Sequence, residues 1–276
     1  MKSTNRILDL FKKHEGKVFM PFLVVGDPDI KRFKQLAKTI EPYADILEFG
    51  IPFSDPIADG PTIQEANVRA FNAGINTDKA LDAIEDVRAF TDKPIVILTY
   101  YNILIQGEDT IEASLDKTFK RLKQCGVDGV VIADLPIEEA TLVLDACEKY
   151  DIYFIFLIAP TTTDDRLAKI LKKAKGFIYL ISVLGVTGAR QTVANITKNT
   201  IEKIKGKIER NIPVLVGFGI SKPAHVKTII NAGANGIIIG SAIVDKIQAN
   251  LDNFKLMKTE IEKYVKTIKR TLTNEF

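Results

Sequence analysis

Two residue types that commonly build reactive centres are scarce in this 276-residue chain, which holds two cysteines and two histidines. Cys125 and Cys147 lie far apart, each inside an apolar segment, and read as buried helix residues. A disulfide framework or a thiolate metal site needs more cysteines at closer spacing, so a reducing compartment is expected. Neither His14 nor His225 stands at the carboxyl end of a strand-like run, which disfavours a histidine-ligated metal and a Ser-His-Asp triad. An excess of one charge is lacking too: 38 basic residues face 35 acidic ones for a net +3, spread along the chain. No basic stripe interleaved with aromatics appears, so nucleic acid is a poorly supported partner. The longest apolar run, residues 152–160, is too short to span a bilayer. The first residues lack the apolar core of a signal peptide, and Asp9 is unlike a transit peptide, so a cytoplasmic location is expected.

What is present is alternation. Eight short β-branched or aromatic runs (19–25, 46–49, 95–100, 129–133, 153–158, 177–181, 214–217 and 236–239) are separated by helical patterns. Most are apolar throughout, as strands buried on both faces of a parallel sheet are. Asp27-Pro28 offers a helix cap followed by a first-turn proline, and Thr62-Ile-Gln-Glu65 resembles a capping box. Cys125-Gly-Val-Asp-Gly-Val-Val-Ile132 is echoed by Ala232-Gly-Ala-Asn-Gly-Ile-Ile-Ile239, at the fourth and eighth units, with a weaker copy from Tyr43. Repetition at the half-way point suggests two similar half-barrels. Eight βα units in this length favour a closed (β/α)8 TIM barrel, one α/β domain over 1–276, above an open sheet with two exposed edges. Ile7, Leu8, Leu10 and Phe11 predict an extra N-terminal helix packed on the body. Ile247, Leu251, Phe254, Ile261, Val265 and Ile268 predict a C-terminal helix sealing the barrel.

Barrel enzymes keep their sites at the carboxyl ends of the strands. Gly217-Phe-Gly-Ile-Ser follows the seventh run, and Gly240-Ser241 follows the eighth and leads directly into a helix. Glycines admit a ligand close to backbone N–H groups and a helix N-terminus favours an anion, so the two loops together describe a phosphate cradle. The segment 182–190, with Gly185 and Gly188, reads equally as a connector or as a lid. Glu48 shares the inward side of the second run with Ile46, and no strand-like run contains a lysine or arginine to pair with it. An unpaired buried carboxylate costs several kcal/mol, which points to function. Asp55 and Asp59 in the following loop could be turn residues or supply a second carboxylate for acid–base work. With no strand lysine, a Schiff-base aldolase lacks its nucleophile.

Leu47-Glu-Phe-Gly-Ile-Pro-Phe-Ser-Asp-Pro-Ile-Ala-Asp-Gly-Pro-Thr-Ile-Gln64 resembles the signature of the tryptophan synthase alpha subunit family. The resemblance continues through Gly26-Asp-Pro28, Tyr100-Tyr-Asn102, Ala133-Asp-Leu-Pro136, 182–190, 217–221 and 240–244, essentially the whole chain in order. It implies a cofactor-independent lyase of tryptophan biosynthesis that cleaves indole-3-glycerol phosphate to indole and glyceraldehyde 3-phosphate. Glu48 would be the acid–base residue and Asp59 would stabilise charge on the indole N–H. By the same resemblance Phe22, Leu98 and Tyr100 line the indole pocket, and Gly188, Gly219, Gly240 and Ser241 hold the phosphate with Phe218 nearby. Tyr179 and Thr187 would touch substrate or orient Asp59. The implied partner is a beta subunit, which carries the pyridoxal phosphate and receives indole within an alpha2beta2 heterotetramer. Residues 52–56 and Tyr101-Asn102 would face it. The chain departs from the family pattern at Val183, where some relatives have arginine, and at Ile103 and Val25.

A pentulose-phosphate epimerase would need metal-binding histidines at strand ends, and an indole-glycerol-phosphate synthase catalytic lysines on its strands; neither is present. A standalone indole-glycerol-phosphate lyase and a non-catalytic activating subunit of the beta chain remain as alternatives.

Overall fold

In the structure, a computed structural model, residues 5–181, 190–207, 212–217 and 219–273 are described. The strands are β1 (Val18–Val24), β2 (Leu47–Gly50), β3 (Ile95–Thr99), β4 (Gly129–Ile132), β5 (Tyr153–Phe154), β6 (Leu157–Ile158), β7 (Ile178–Ile181), β8 (Val214–Gly217) and β9 (Gly236–Ile239). All pairings are parallel, in the order β5-β4-β3-β2-β1-β9-β8-β7-β6. The fifth expected strand is therefore two segments. Its first half pairs with β4 and its second with β7, while the Ile155 N–H donates to the Val130 carbonyl and the Tyr179 N–H to the Phe156 carbonyl. One run thus joins both ends of the sheet and closes the barrel, leaving no edge to protect.

Period-two alternation sorts the side chains into two layers. Met20, Ile46, Val96, Val131, Leu215 and Ile238 fill the barrel interior, whereas Leu23, Leu47, Phe49, Ile97 and Val216 pack outward under the helices. The helix Arg6–Lys13 closes the amino-terminal end of the barrel: Ile7 is fully buried in the interior cluster, with Leu10 and Phe11 packed beside it. Leu8, expected on that face, is turned outward and 36% exposed.

The echoed sequence corresponds to a repeated hydrogen bond. Asp45 accepts from the Phe19 N–H at 2.7 Å, Asp128 from the Ile95 N–H at 2.9 Å, and Asn235 from the Val214 N–H at 3.0 Å. In each case a side chain just ahead of one strand satisfies an amide at the start of the neighbouring strand, the first in β3 and β8 and the second in β1.

Two expected caps are placed differently. The helix after β1 is Ile30–Ile40, capped by Asp29, whose Oδ1 accepts from the Arg32 N–H. Asp27, in a cis peptide with Pro28, is instead buried and receives two bonds from Arg69 at 2.8 and 2.9 Å. A buried carboxylate gains more from a bidentate guanidinium than a helix end gains from a cap. The helix Pro61–Asn72 starts at Gly60 with no side-chain cap, and Thr62 and Glu65 bond Asp245 and Gln248 across to the helix Ser241–Gln248. The stretch expected as one C-terminal helix is divided: Ile247 belongs to the helix Ser241–Gln248, Leu251 to the turn after it, and the C-terminal helix Phe254–Thr273 buries Met257, Ile261, Val265, Ile268 and Leu272. Among the described residues no helix is long and apolar enough to cross a membrane.

Candidate active site

β2 places Glu48 beside Phe22 of β1 and Val96 of β3, on the inward-facing side. The residue is fully buried, and neither carboxyl oxygen has a hydrogen-bond partner. Burial, and then the charge of Asp59, push its pKa from 4.5 up to about 8. A carboxyl group in this state keeps its proton at neutral pH, the condition for a general acid.

Asp59 comes from the turn after β2, where its N–H donates to the Pro56 carbonyl at 3.0 Å and its carbonyl accepts from Gln64. Its Oδ2 accepts from the Tyr100 hydroxyl at 3.1 Å, and that same hydroxyl accepts from the Ala58 N–H at 3.1 Å. Phe53 stacks on the Tyr100 ring, with centroids 4.7 Å apart. Burial raises the Asp59 pKa, and the Tyr100 hydrogen bond opposes the rise. Asp55, the other candidate in this loop, is exposed and accepts from Ser54.

A cavity of about 340 Å³ opens over these residues at the carboxyl ends of the strands. Phe22, Leu98 and Tyr179 form an apolar side together with Ile63 and Ile238, and Asp59 stands at the rim. Gly219, Gly240 and Ser241 make up a glycine-bearing stretch of the wall, joined by Ser221, Ala242 and Asp245, with Gly240 next to the Phe22 ring. Close approach of aromatic rings requires two of the strand-end glycines. A Cβ on Gly50 would meet Phe22 at 2.6 Å, and one on Gly217 would meet the Tyr179 ring at 2.6 Å. Gly219 itself takes a φ of +72°, which side chains rarely adopt. Tyr179 is buried, and its phenol is held well above its ordinary pKa by burial and by the charges of Glu48 and Asp59.

The structure thus brings together Phe22, Leu98, Tyr179, Asp59, Gly219, Gly240 and Ser241 around one cavity. Glu48 sits beside Phe22 but is itself shut off from solvent, and Tyr100 faces Asp59 without lining the cavity. Thr187, Gly188 and Phe218 lie outside the described residues, as do Val183 and Gly185 of the expected lid. Sequence reasoning missed Ile63, Ile238 and Asp245. Ile238 was accessible from strand alternation, and Asp245 from its place one helical turn after Ser241, on the same face.

The lining includes no lysine or arginine among the described residues. An anion at the glycine-bearing stretch would be met by backbone amides and by the helix Ser241–Gln248, which starts without a side-chain cap. Among the described residues no group of three or more His, Cys, Asp or Glu could hold a metal ion.

The family model for tryptophan synthase alpha chain matches residues 8–273. The tryptophan synthase alpha chain of Methanothermobacter thermautotrophicus is 45% identical over 95% of this chain and 94% of its own. Among solved structures, tryptophan synthase subunit alpha from Legionella pneumophila superposes with a TM-score of 0.87 at 28% identity, covering 99% of this chain and 100% of that one. A chain from the tryptophan synthase alpha2beta2 complex of Pyrococcus furiosus superposes with a TM-score of 0.82 at 34% identity, covering 92% and 98%.

Proposed function

Because the chain belongs to the tryptophan synthase alpha chain family, we propose that it cleaves indole-3-glycerol phosphate by a retro-aldol step and passes indole to a beta subunit. The observation that carries the reading is Glu48, a carboxyl group buried without a partner beside the cavity and holding its proton at neutral pH. Glu48 delivers that proton to indole C3, and the positive charge moves to the ring nitrogen. Asp59, held by the Tyr100 hydroxyl on the cavity wall, stabilises that charge at a partly dry site, where such an interaction is worth far more than in water. The adjacent glycerol hydroxyl gives its proton back to Glu48 and becomes the aldehyde, while the electrons of the broken carbon–carbon bond return to the ring. The acid is regenerated in one turnover, and the indole serves as its own electron sink.

Phe22 and Leu98 supply the apolar faces for the ring, with Tyr100 and Tyr179 acting at Asp59 and over the pocket floor. Gly219, Gly240 and Ser241 receive the phosphate; Gly188, Phe218 and Thr187 join them by family resemblance. We assign no cofactor to this chain, since pyridoxal phosphate belongs to the beta partner. The partner-facing rim is residues 52–56 and Tyr101-Asn102, and the adjoining Ile57 is 84% exposed. An apolar side chain so placed is suited to being covered in an alpha2beta2 assembly. The chain is read as one barrel domain over 1–276, acting in the cytoplasm.

The test is indole release from indole-3-glycerol phosphate, with and without a beta subunit. Slow release that rises sharply with the partner is expected. Fast release indifferent to the partner would make the chain a standalone lyase, and none in either case would make it an activating subunit.

A further inference from the structure

The loop after β8 is held from behind by two side chains that the reaction does not use. Ser221 lies on the cavity wall near Gly219 and Ser241. Its backbone N–H donates to Nδ1 of His225 at 3.3 Å, and its carbonyl accepts from the Tyr264 hydroxyl at 3.0 Å. The N–H belongs to the peptide before Ser221 and the carbonyl to the peptide after it, so both flanking peptide planes are restrained. The two restraints come from different helices. His225 stands in the first turn of the helix Pro223–Asn231, and Tyr264 belongs to the C-terminal helix.

The C-terminal helix packs against both Pro223–Asn231 and Ser241–Gln248, the helices that follow the two glycine loops. Tyr264 is half-buried there, with Lys246 Nζ 5.2 Å from its ring centre. Burial, and then the nearby Asp245 carboxylate, hold its phenol above the ordinary value, which keeps the hydroxyl a donor. Where the described lining has no cationic side chain, an anion depends on how backbone amides are aimed. A rotated peptide plane turns such an amide away from its ligand.

We propose that Tyr264 and His225 are positioning residues of the phosphate cradle, fixing the backbone at residues 219–221 and so the affinity for the phosphate end of the substrate. This rests on the reading of the glycine-bearing stretch of the cavity wall as a phosphate site. Neither residue lines the cavity, so neither touches the ring or the reacting atoms.

The experiment is calorimetric titration of the full chain with glycerol 3-phosphate and, separately, with indole, together with steady-state kinetics. Tyr264→Phe and His225→Ala should each weaken glycerol 3-phosphate by about 3- to 10-fold, the usual worth of one hydrogen bond, and leave indole affinity unchanged. KM for indole-3-glycerol phosphate should rise by a similar factor while kcat holds. His225→Asn, whose Oδ1 can take the place of Nδ1, should restore binding. Wild-type affinity in Tyr264→Phe, equal weakening of indole, or failure of His225→Asn to rescue would overturn the proposal. If the wild-type chain itself did not bind glycerol 3-phosphate, the phosphate reading would fall, and the positioning role with it.

Discussion

Two carboxylates lie buried at opposite ends of the same barrel, and they differ in what surrounds them rather than in how deep they are. Asp128, 3% exposed at the amino-terminal end, accepts from Arg6 at 3.0 Å, Arg88 at 3.1 Å and the Ile95 N–H at 2.9 Å. Glu48, 0% exposed near the carboxyl end, accepts from nothing. The charge of Asp128 is met by two guanidinium groups and an amide, and it ties the N-terminal helix and the helix Thr77–Arg88 to the base of the barrel. Burial of Glu48 is compensated by nothing except retention of its proton. Depth alone does not mark a catalytic acid; depth without a partner does.

The contrast is testable from both ends. Glu48→Gln should lower indole release by roughly 10²- to 10⁴-fold, the range for a lost general acid, with the thermal midpoint held or raised. Near-normal turnover would remove Glu48 from its role. Asp128→Ala should do the reverse, costing ~3–5 kcal/mol in a denaturant titration because Arg88 is left buried without its partner, while the folded fraction keeps its kcat. A folded Asp128→Ala chain with lost turnover would break the division between structural and chemical ends. Asp59→Asn should lower kcat about 10²- to 10³-fold, in line with removal of one electrostatic stabiliser; unchanged kinetics would shift the role to Asp55.

The smallest effect is on pH dependence. Folded Glu48 keeps a proton that the unfolded chain releases near 4.5, so its contribution to stability is greatest below that pH and is lost as pH rises towards about 8. Stability of Glu48→Gln should therefore decline less between pH 5 and 8 than that of the parent. In kinetics, kcat/KM should fall as pH rises through about 8, and the acid limb should lie above the ordinary 3.8 of an aspartate, because Asp59 is also raised. A profile flat to pH 10 would contradict an acid with this environment.

Much of the site was legible because strand periodicity is strict. Glu48 faces inward because Ile46 does, and the lack of strand cations left it unpaired whatever the details of packing. The glycines after β8 and β9 could be placed at strand ends for the same local reason, and Gly219 and Gly240 do line the cavity. Tyr100 was a different case. The resemblance placed it on the indole wall, but its hydroxyl bridges Asp59 and Ala58, a geometry set by how the turn after β2 folds back across β3. The capping roles expected of Asp27 and Thr62 were also displaced by partners far along the chain, Arg69 and Asp245.

By itself the sequence determined the eight-fold alternation, the inward carboxylate and the family, because each depends on residue order within a few positions or on a motif read in line. Only the tertiary structure decided that residues 153–158 split to close the barrel, that Asp59 shares a hydroxyl with Ala58, and that the C-terminal helix reaches the loop after β8 through Tyr264. These contacts join residues tens of positions apart. Which of several polar partners a side chain finds across such distances is set by the packing of whole helices, which local periodicity does not encode.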